Sequence, residues 1–147
     1  MTAHEASATL LHAVDTLEPL IRQHADEAER HRRLALPVVR ALTEAGIFRM
    51  CVPRTLGGLE VPPLTFYRVV EAVARLDGST GWCTFIGGSD GLVGASLAPQ
   101  TAEDLFGRDP RVILTGSVVP AGTVTVVAGG YRLSDINITG CEFCNFF

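Results

Sequence analysis

Apolar residues recur through the first part of the chain at the spacing of an amphipathic helix. Between residues 5 and 31 they return every three or four positions, and Glu, Asp and Arg fill the opposite face toward residue 33. Residues at this spacing share one helix face, so the pattern predicts one long helix with a single buried stripe. The stripe consists of Leu10, Leu11, Val14, Leu17, Leu20 and Ile21. The charged run ADEAERHRR is most simply the solvated face of this helix.

Proline and glycine mark the ends of two further helices. Pro37 suits the first turn of a second helix, and Gly46 fits the left-handed position just past its end. Pro63 begins a third helix, which ends near Asp77-Gly78. Its predicted buried stripe consists of Phe66, Val69, Val70, Val73, Ala74 and Leu76.

The connection between the second and third helices combines an apolar run with a turn. The run IFRMCVP, residues 47–53, predicts a short extended segment, and RTLGG, residues 54–58, predicts a turn. Proline fixes the chain before the turn, and the glycine pair permits conformations that side chains would forbid. This corner indicates structure and adds no chemistry.

A glycine-rich apolar segment, STGWCTFIGGSDGLVGAS, covers residues 79–96 and predicts a fourth helix capped by Ser79 or Thr80. Each glycine costs a helix about 1 kcal/mol against alanine. Five glycines in one segment therefore indicate close approach by another backbone or by a flat ligand. The glycine spacing is not G-x-G-x-x-G and no strand precedes it, so a dinucleotide-binding site of the Rossmann type is excluded.

The pattern changes after residue 107. A short helix at 98–107 begins with Pro99, and the runs RVILTGSVVP, GTVTVVAGG and YRLSDINITG that follow are β-branched and bounded by turns. Gly129-Gly130 between two of them predicts a hairpin. The fold class is therefore α+β, with a helical domain over residues 1–107 and an incomplete antiparallel β-domain over 108–147.

The composition of the chain argues against several classes of function. Of the 147 residues 47% are hydrophobic, the net charge is −4 and no lysine is present, which argues against nucleic-acid binding, an anionic membrane surface and a lysine Schiff base. No apolar run approaches the ~20 residues that span a bilayer, and no basic signal segment opens the chain. We therefore expect a cytoplasmic protein.

Metal binding is not expected from the cysteines and histidines. All four histidines lie in the first helical segment, where His24 and His31 are seven residues apart, which is not the spacing of a metal pair. Cys141 and Cys144 form a lone C-x-x-C near residue 147, without a second pair that would complete a zinc site.

The order of these features resembles the N-terminal half of the acyl-CoA dehydrogenase superfamily. The segments that carry the resemblance are AGIFRMCVPRTLGGLEV and VVAGGYRLS, with a helix ending ARLDGST and the glycine-rich helix between them. The resemblance implies a flavin cofactor, FAD or FMN, held between the β-domain and a C-terminal four-helix bundle that this chain lacks. It also implies a homo-oligomer in the complete enzyme, and stand-alone activity is not expected.

Two enzyme branches share this resemblance. DGSTGWC and GSVVPAG are more similar to flavin-dependent monooxygenases, which hydroxylate aromatic compounds with reduced flavin, O₂ and a separate flavin reductase. Dehydrogenases carry a TEPxxGSD-like stretch where this chain reads SVVPAGT, so the dehydrogenase remains the alternative. A different class of alternative is a non-catalytic interaction module or a truncated remnant.

The resemblance implies a few site residues. Ser117 and Val118 correspond to positions that meet the flavin ring, although Ser117 could equally be a satisfied strand-end hydroxyl. Thr139 resembles a flavin-proximal Ser-Gly pair, but Asp135-Ile136-Asn137 stand where the family has Gly-basic-Trp. Trp82 would stack on an aromatic small-molecule substrate, and the alternative is a tryptophan buried beside the glycines. No catalytic residue is identified.

Overall fold

A helical bundle precedes a β-hairpin in the computed structural model, which describes residues 3–114 and 122–134. The α-helices in these ranges are α1 (Ala3–His31), α2 (Leu36–Glu44), α3 (Pro63–Leu76), α4 (Gly78–Ser89) and α5 (Pro99–Ala102). Short 3₁₀ turns cover Ile47–Arg49, Arg54–Leu56 and Asp90–Ser96, and one π-helical turn covers Glu103–Gly107. The strands are β1 (Thr123–Val127) and β2 (Gly130–Ser134). None of the helices in these ranges is long and apolar enough to cross a membrane.

The core lies where α1, α3 and α4 pack together, and its residues come from the predicted stripes. Leu10, Val14 and Ile21 of α1 are buried, as are Phe66, Val69 and Val73 of α3. The remaining predicted members pack partly buried against this core, with one exception: Ala74 is exposed, and Ala72 packs against the core instead. Amphipathic spacing therefore predicted the buried faces of both helices.

The expected extended segment at residues 47–53 is wrong, because Ile47–Arg49 forms a 3₁₀ turn. Gly46 has a φ of +76°, the left-handed end of α2 that the sequence predicted, and the turn starts directly from it. The 3₁₀ turn and the residue that follows it bury four consecutive side chains, those of Ile47, Phe48, Arg49 and Met50. A strand would point alternate side chains to opposite faces, so the segment could not bury all four against one core.

The predicted turn at residues 54–58 is confirmed. Gly57 has a φ of +75°, a conformation that side chains disfavour. A Cβ built on Gly58 would lie 1.9 Å from the carbonyl oxygen of Val52, so the glycine allows two backbone segments to touch. After the turn, residues 59–61 return along the 3₁₀ segment, where the Leu59 amide donates to the Arg49 carbonyl at 2.9 Å.

Helix α4 begins earlier than predicted, and its cap is neither Ser79 nor Thr80. Asp77 has an extended backbone, and its carboxylate accepts hydrogen bonds from the backbone N–H and the hydroxyl of Thr80, both at 2.7 Å. A carboxylate at this position satisfies otherwise unpaired amides at the helix start. The third helix ends at Asp77, as the sequence predicted, so this residue both closes α3 and caps α4.

The predicted hairpin is present, and β1 and β2 pair antiparallel from Thr123↔Ser134 to Val127↔Gly130. Gly129, with a φ of +83°, makes the turn. The chain is not all strand after residue 107: residues 111–114 of the first predicted strand are irregular, and 115–120 lie outside the described ranges. The domain boundary at residue 107 stays a prediction.

Candidate functional site

Glycines of α4 and of the turn after it pack closely against the rest of the protein. A Cβ built on Gly81 would lie 2.5 Å from the Cβ and 2.6 Å from the Cα of Ala74, on α3. A Cβ built on Gly91, in the turn after α4, would lie 2.6 Å from the Val52 side chain and 2.9 Å from its backbone nitrogen. The close approach predicted from the glycines is therefore made by neighbouring segments of this chain.

The other face of α4 carries exposed aromatic surface. Trp82 is 43% exposed, so the alternative of a tryptophan buried beside the glycines is wrong. Its ring lies 5.8 Å from that of Phe85, three residues along the same face. The Phe85 ring is in turn 5.8 Å from Phe66, and Phe66 is 5.4 Å from Tyr67 in an edge-to-face arrangement. These rings form a continuous aromatic row from α4 to α3.

A cleft of about 330 Å³ opens beside this row, between the start of α3 and the end of α4. Its apolar walls include Phe66, Tyr67, Phe85 and Leu92, and Trp82 adjoins it through Phe85. Tyr67 and Leu92 are 59% and 61% exposed, so the rim of the cleft is apolar and accessible. Small-molecule sites commonly combine apolar and aromatic walls with a few polar groups.

Two polar side chains that line the cleft form hydrogen bonds within the chain. The carboxylate of Glu60 accepts a hydrogen bond from the Arg54 amide at 2.8 Å, and the Ser89 hydroxyl donates to the Ile86 carbonyl at 3.1 Å. Burial raises the pKa of the Cys51 thiol, which also lines the cleft, and so disfavours the nucleophilic thiolate. The described residues therefore supply a binding surface and no activated nucleophile.

The two acids near α4, Asp77 and Asp90, have different environments. Asp77 caps the helix. Burial raises the pKa of Asp90, which is half-buried just after Ser89. Within residues 3–114 and 122–134, no three His, Cys, Asp or Glu side chains come together as a metal ion would need.

Of the site residues expected from the sequence, the structure locates Trp82. Ser117, Val118 and Thr139 lie outside the described residues, so their flavin contacts stay predictions. The sequence interpretation missed Phe85 and Ser89, although their helical spacing from Trp82 could have identified them. Tyr67 gave no such signal, because it reaches the cleft from a different helix.

Comparison with known proteins gives a consistent picture. Residues 4–103 match the model of the acyl-CoA dehydrogenase N-terminal domain. The chain is 37% identical over 121 residues to the oxygenase subunit HsaA of a flavin-dependent monooxygenase from Rhodococcus jostii, an alignment covering 82% of this chain and 32% of that protein. It is 30% identical over 113 residues to indole-3-acetate monooxygenase from Pseudomonas putida, covering 77% and 29%.

A solved structure supports the same grouping. XiaF from Streptomyces sp., in complex with FADH2 and glycerol, superposes with a TM-score of 0.84 at 27% identity and covers 89% of this chain and 33% of that one. The chain thus spans about a third of the length of the relatives it matches.

Proposed function

The chain belongs to the acyl-CoA dehydrogenase family, and from this we propose that it forms the helical, substrate-side part of a flavin-dependent monooxygenase acting on an aromatic compound. The observation that carries the proposal is the aromatic row beside the cleft, which is exposed at Trp82 and Tyr67. Trp82 and Phe85 lie on α4, which packs against α3 at Gly81. Flat, apolar walls suit a flat, apolar substrate, because stacked or edge-to-face rings contribute about 0.5–1.5 kcal/mol beyond their buried area.

A flavin fits this interpretation on the side that the structure describes. The exposed indole of Trp82 and the ring of Phe85 offer a surface for one flat ring, either the substrate or the edge of an isoalloxazine. The polar edge of the flavin would be held by Ser117, Val118 and Thr139. When bound, reduced flavin would supply the electrons with which O₂ oxygenates the substrate, while the residues of this chain bind and orient the substrate and exclude water.

The partners follow from the same proposal. The similar protein from Rhodococcus jostii is named an oxygenase subunit, so we expect a separate reductase to deliver reduced flavin. A homo-oligomer is expected for the complete enzyme, and exposed apolar residues of the hairpin are consistent with further contacts: Val126 is 78% and Tyr131 73% exposed.

Tryptophan fluorescence tests the proposal directly, because Trp82 is the only tryptophan in the sequence. The purified chain is first inspected for yellow colour from bound flavin and then titrated separately with phenol, FMN, FAD and butyryl-CoA. We expect saturable changes in Trp82 emission with phenol and with flavin. A saturable response to butyryl-CoA alone would instead favour the dehydrogenase alternative.

Two substitutions make the titration specific to the cleft. Phe85→Ala removes the ring beside Trp82 and should weaken phenol binding about tenfold, as the loss of one aromatic contact and its buried area implies. Val93→Ala is the control, since Val93 lies on the same glycine-rich segment, is 46% exposed and is not among the residues lining the cleft. Emission that changes linearly, without saturation, in all three proteins would contradict the proposed site.

A further inference from the structure

Arg49 is the only charged side chain among the described residues that is buried. It is 6% exposed and lies in the apolar run IFRMCV between α2 and α3. No carboxylate of the described residues forms an ion pair with it. Burial alone lowers the pKa of its guanidinium. A buried charge without a counter-charge is costly, so this position calls for an explanation other than core packing.

The guanidinium joins two segments that are far apart in the chain. Its Nη2 donates hydrogen bonds to the Leu56 carbonyl, in the corner at residues 54–58, and to the Phe106 carbonyl at 3.1 Å, in the π-helical turn. The guanidinium carbon also lies 5.9 Å from the centre of the Phe106 ring. A Cβ built on Gly57 would lie 3.4 Å from Nη2, so the corner wraps closely around the charged group.

The other donors of the Arg49 guanidinium indicate that an arginine is not the most stable way to fill this position. Within the described part of the chain, Nε and Nη1 of Arg49 are buried and have no hydrogen-bond partner. Replacing buried charged groups with apolar residues of similar volume is often neutral or stabilising. An apolar side chain would fill the site, but it could not hold two carbonyls from different segments together.

We propose that Arg49 is a positioning residue that fixes where the chain leaves the helical bundle and orients residues 107–114, which precede Ser117 and Val118 in the sequence, so that flavin binding through those two residues depends on it. Phe106 is held at the end of the last helical turn, and the chain continues from it through 107–114 toward those two residues. The consequence for flavin rests on the proposed function, whereas the joint between the corner and the π-helical turn does not. The corner at residues 54–58 has a structural role in this proposal, because Leu56 supplies one of the two carbonyls that Arg49 bridges.

Hydrogen exchange measured by mass spectrometry on the whole 147-residue chain tests the joint. The proteins compared are the wild type, Arg49→Met, Arg49→Lys and the control Arg75→Met, whose arginine is 76% exposed. Peptides from 54–58 and 103–114 should exchange about tenfold faster in Arg49→Met, as loss of hydrogen bonds to a charged group implies. Arg49→Lys should restore part of the protection, because lysine keeps the charge and can reach one carbonyl.

The unfolding midpoint separates positioning from general stability. We expect α1 peptides to keep their wild-type exchange in Arg49→Met and the urea midpoint to stay equal or rise. Unchanged exchange at 103–114, or a uniform increase across α1 and α3, would overturn the proposal. If Arg49→Met does not fold, Arg49→Lys is measured in its place. Exchange at 103–114 should then be faster than in the wild type, and unchanged exchange there or a uniform increase across α1 and α3 would overturn the proposal.

Flavin titration adds the second readout. If the wild type binds FMN or FAD, Arg49→Met should bind it more weakly while Arg75→Met does not, and equal affinity in the two variants would overturn the orienting role. A wild type that binds no flavin would contradict the proposed function, while the exchange experiment would still decide whether the joint exists.

Discussion

The contact between α3 and α4 at Gly81 predicts opposite effects for two glycine-to-alanine substitutions in the same helix. At Gly81 an added methyl would meet the Cβ and Cα of Ala74 at 2.5 and 2.6 Å. At Gly78, in the first turn of α4, nothing lies within 4 Å of the added methyl. The two sites therefore share the same chemical change and differ in the space around it.

The magnitudes follow from two competing effects. Alanine is better than glycine in a helix interior by about 1 kcal/mol, whereas overpacking typically costs about 1–3 kcal/mol. The cost at Gly81 should lie near the upper end, because part of the obstacle is backbone, which cannot rotate away. Gly81→Ala should then destabilise the protein by about 2 kcal/mol net. Gly78→Ala should stabilise it by about 0.5 kcal/mol through lower unfolded-state entropy.

Urea unfolding of the full chain at 25 °C measures both values, with the free energy of unfolding taken from midpoints at a common slope. The refuting result is a Gly81→Ala protein as stable as the wild type, or a Gly78→Ala protein that loses as much stability as Gly81→Ala. The first result would mean that α3 and α4 are not in the close contact on which the position of the aromatic row depends, and the second that the loss of stability does not come from that contact.

Two further predictions concern residues beside the site. Asp77→Ala removes the acceptor for two Thr80 hydrogen bonds and should destabilise the protein by about 1 kcal/mol; Asp77→Asn should retain most of that stability, and equal losses in both variants would count against the cap. Burial raises the pKa of Cys83 to about 12, so at pH 8 its thiol is protonated. Peptide mass spectrometry after iodoacetamide treatment should show almost no labelling of Cys83 and slow labelling of Cys51, until urea makes both react at the rate of a free thiol.

Much of the helical fold could be predicted from the sequence because its signals are local. The stripes of α1 and α3 repeat at helical spacing, and Gly46 marks the end of α2. The segment at 47–53 could not be predicted in the same way, since a short apolar run has the same composition in a strand as in a buried turn. The cap of α4 was misassigned because several residues that can cap a helix stand close together, and the geometry selects Asp77.

The site was less accessible to sequence reasoning because it depends on distant contacts. Trp82 stood out through the glycines around it, and Phe85 follows from helical spacing. Tyr67 joins them only because α3 packs against the glycine face of α4. Arg49 gave no signal at all, since its two acceptors are backbone carbonyls that any residue carries.

Burial changes the protonation of three titratable side chains on and near α4. Burial raises the pKa of the Cys51 and Cys83 thiols and of the Asp90 carboxyl, and so favours the neutral form of each group. A thiol with a raised pKa stays protonated near neutral pH and is therefore a poor nucleophile. The described part of the chain is therefore suited to bind an aromatic ligand, and under the proposed function the reactive groups are expected from a bound cofactor or from other segments.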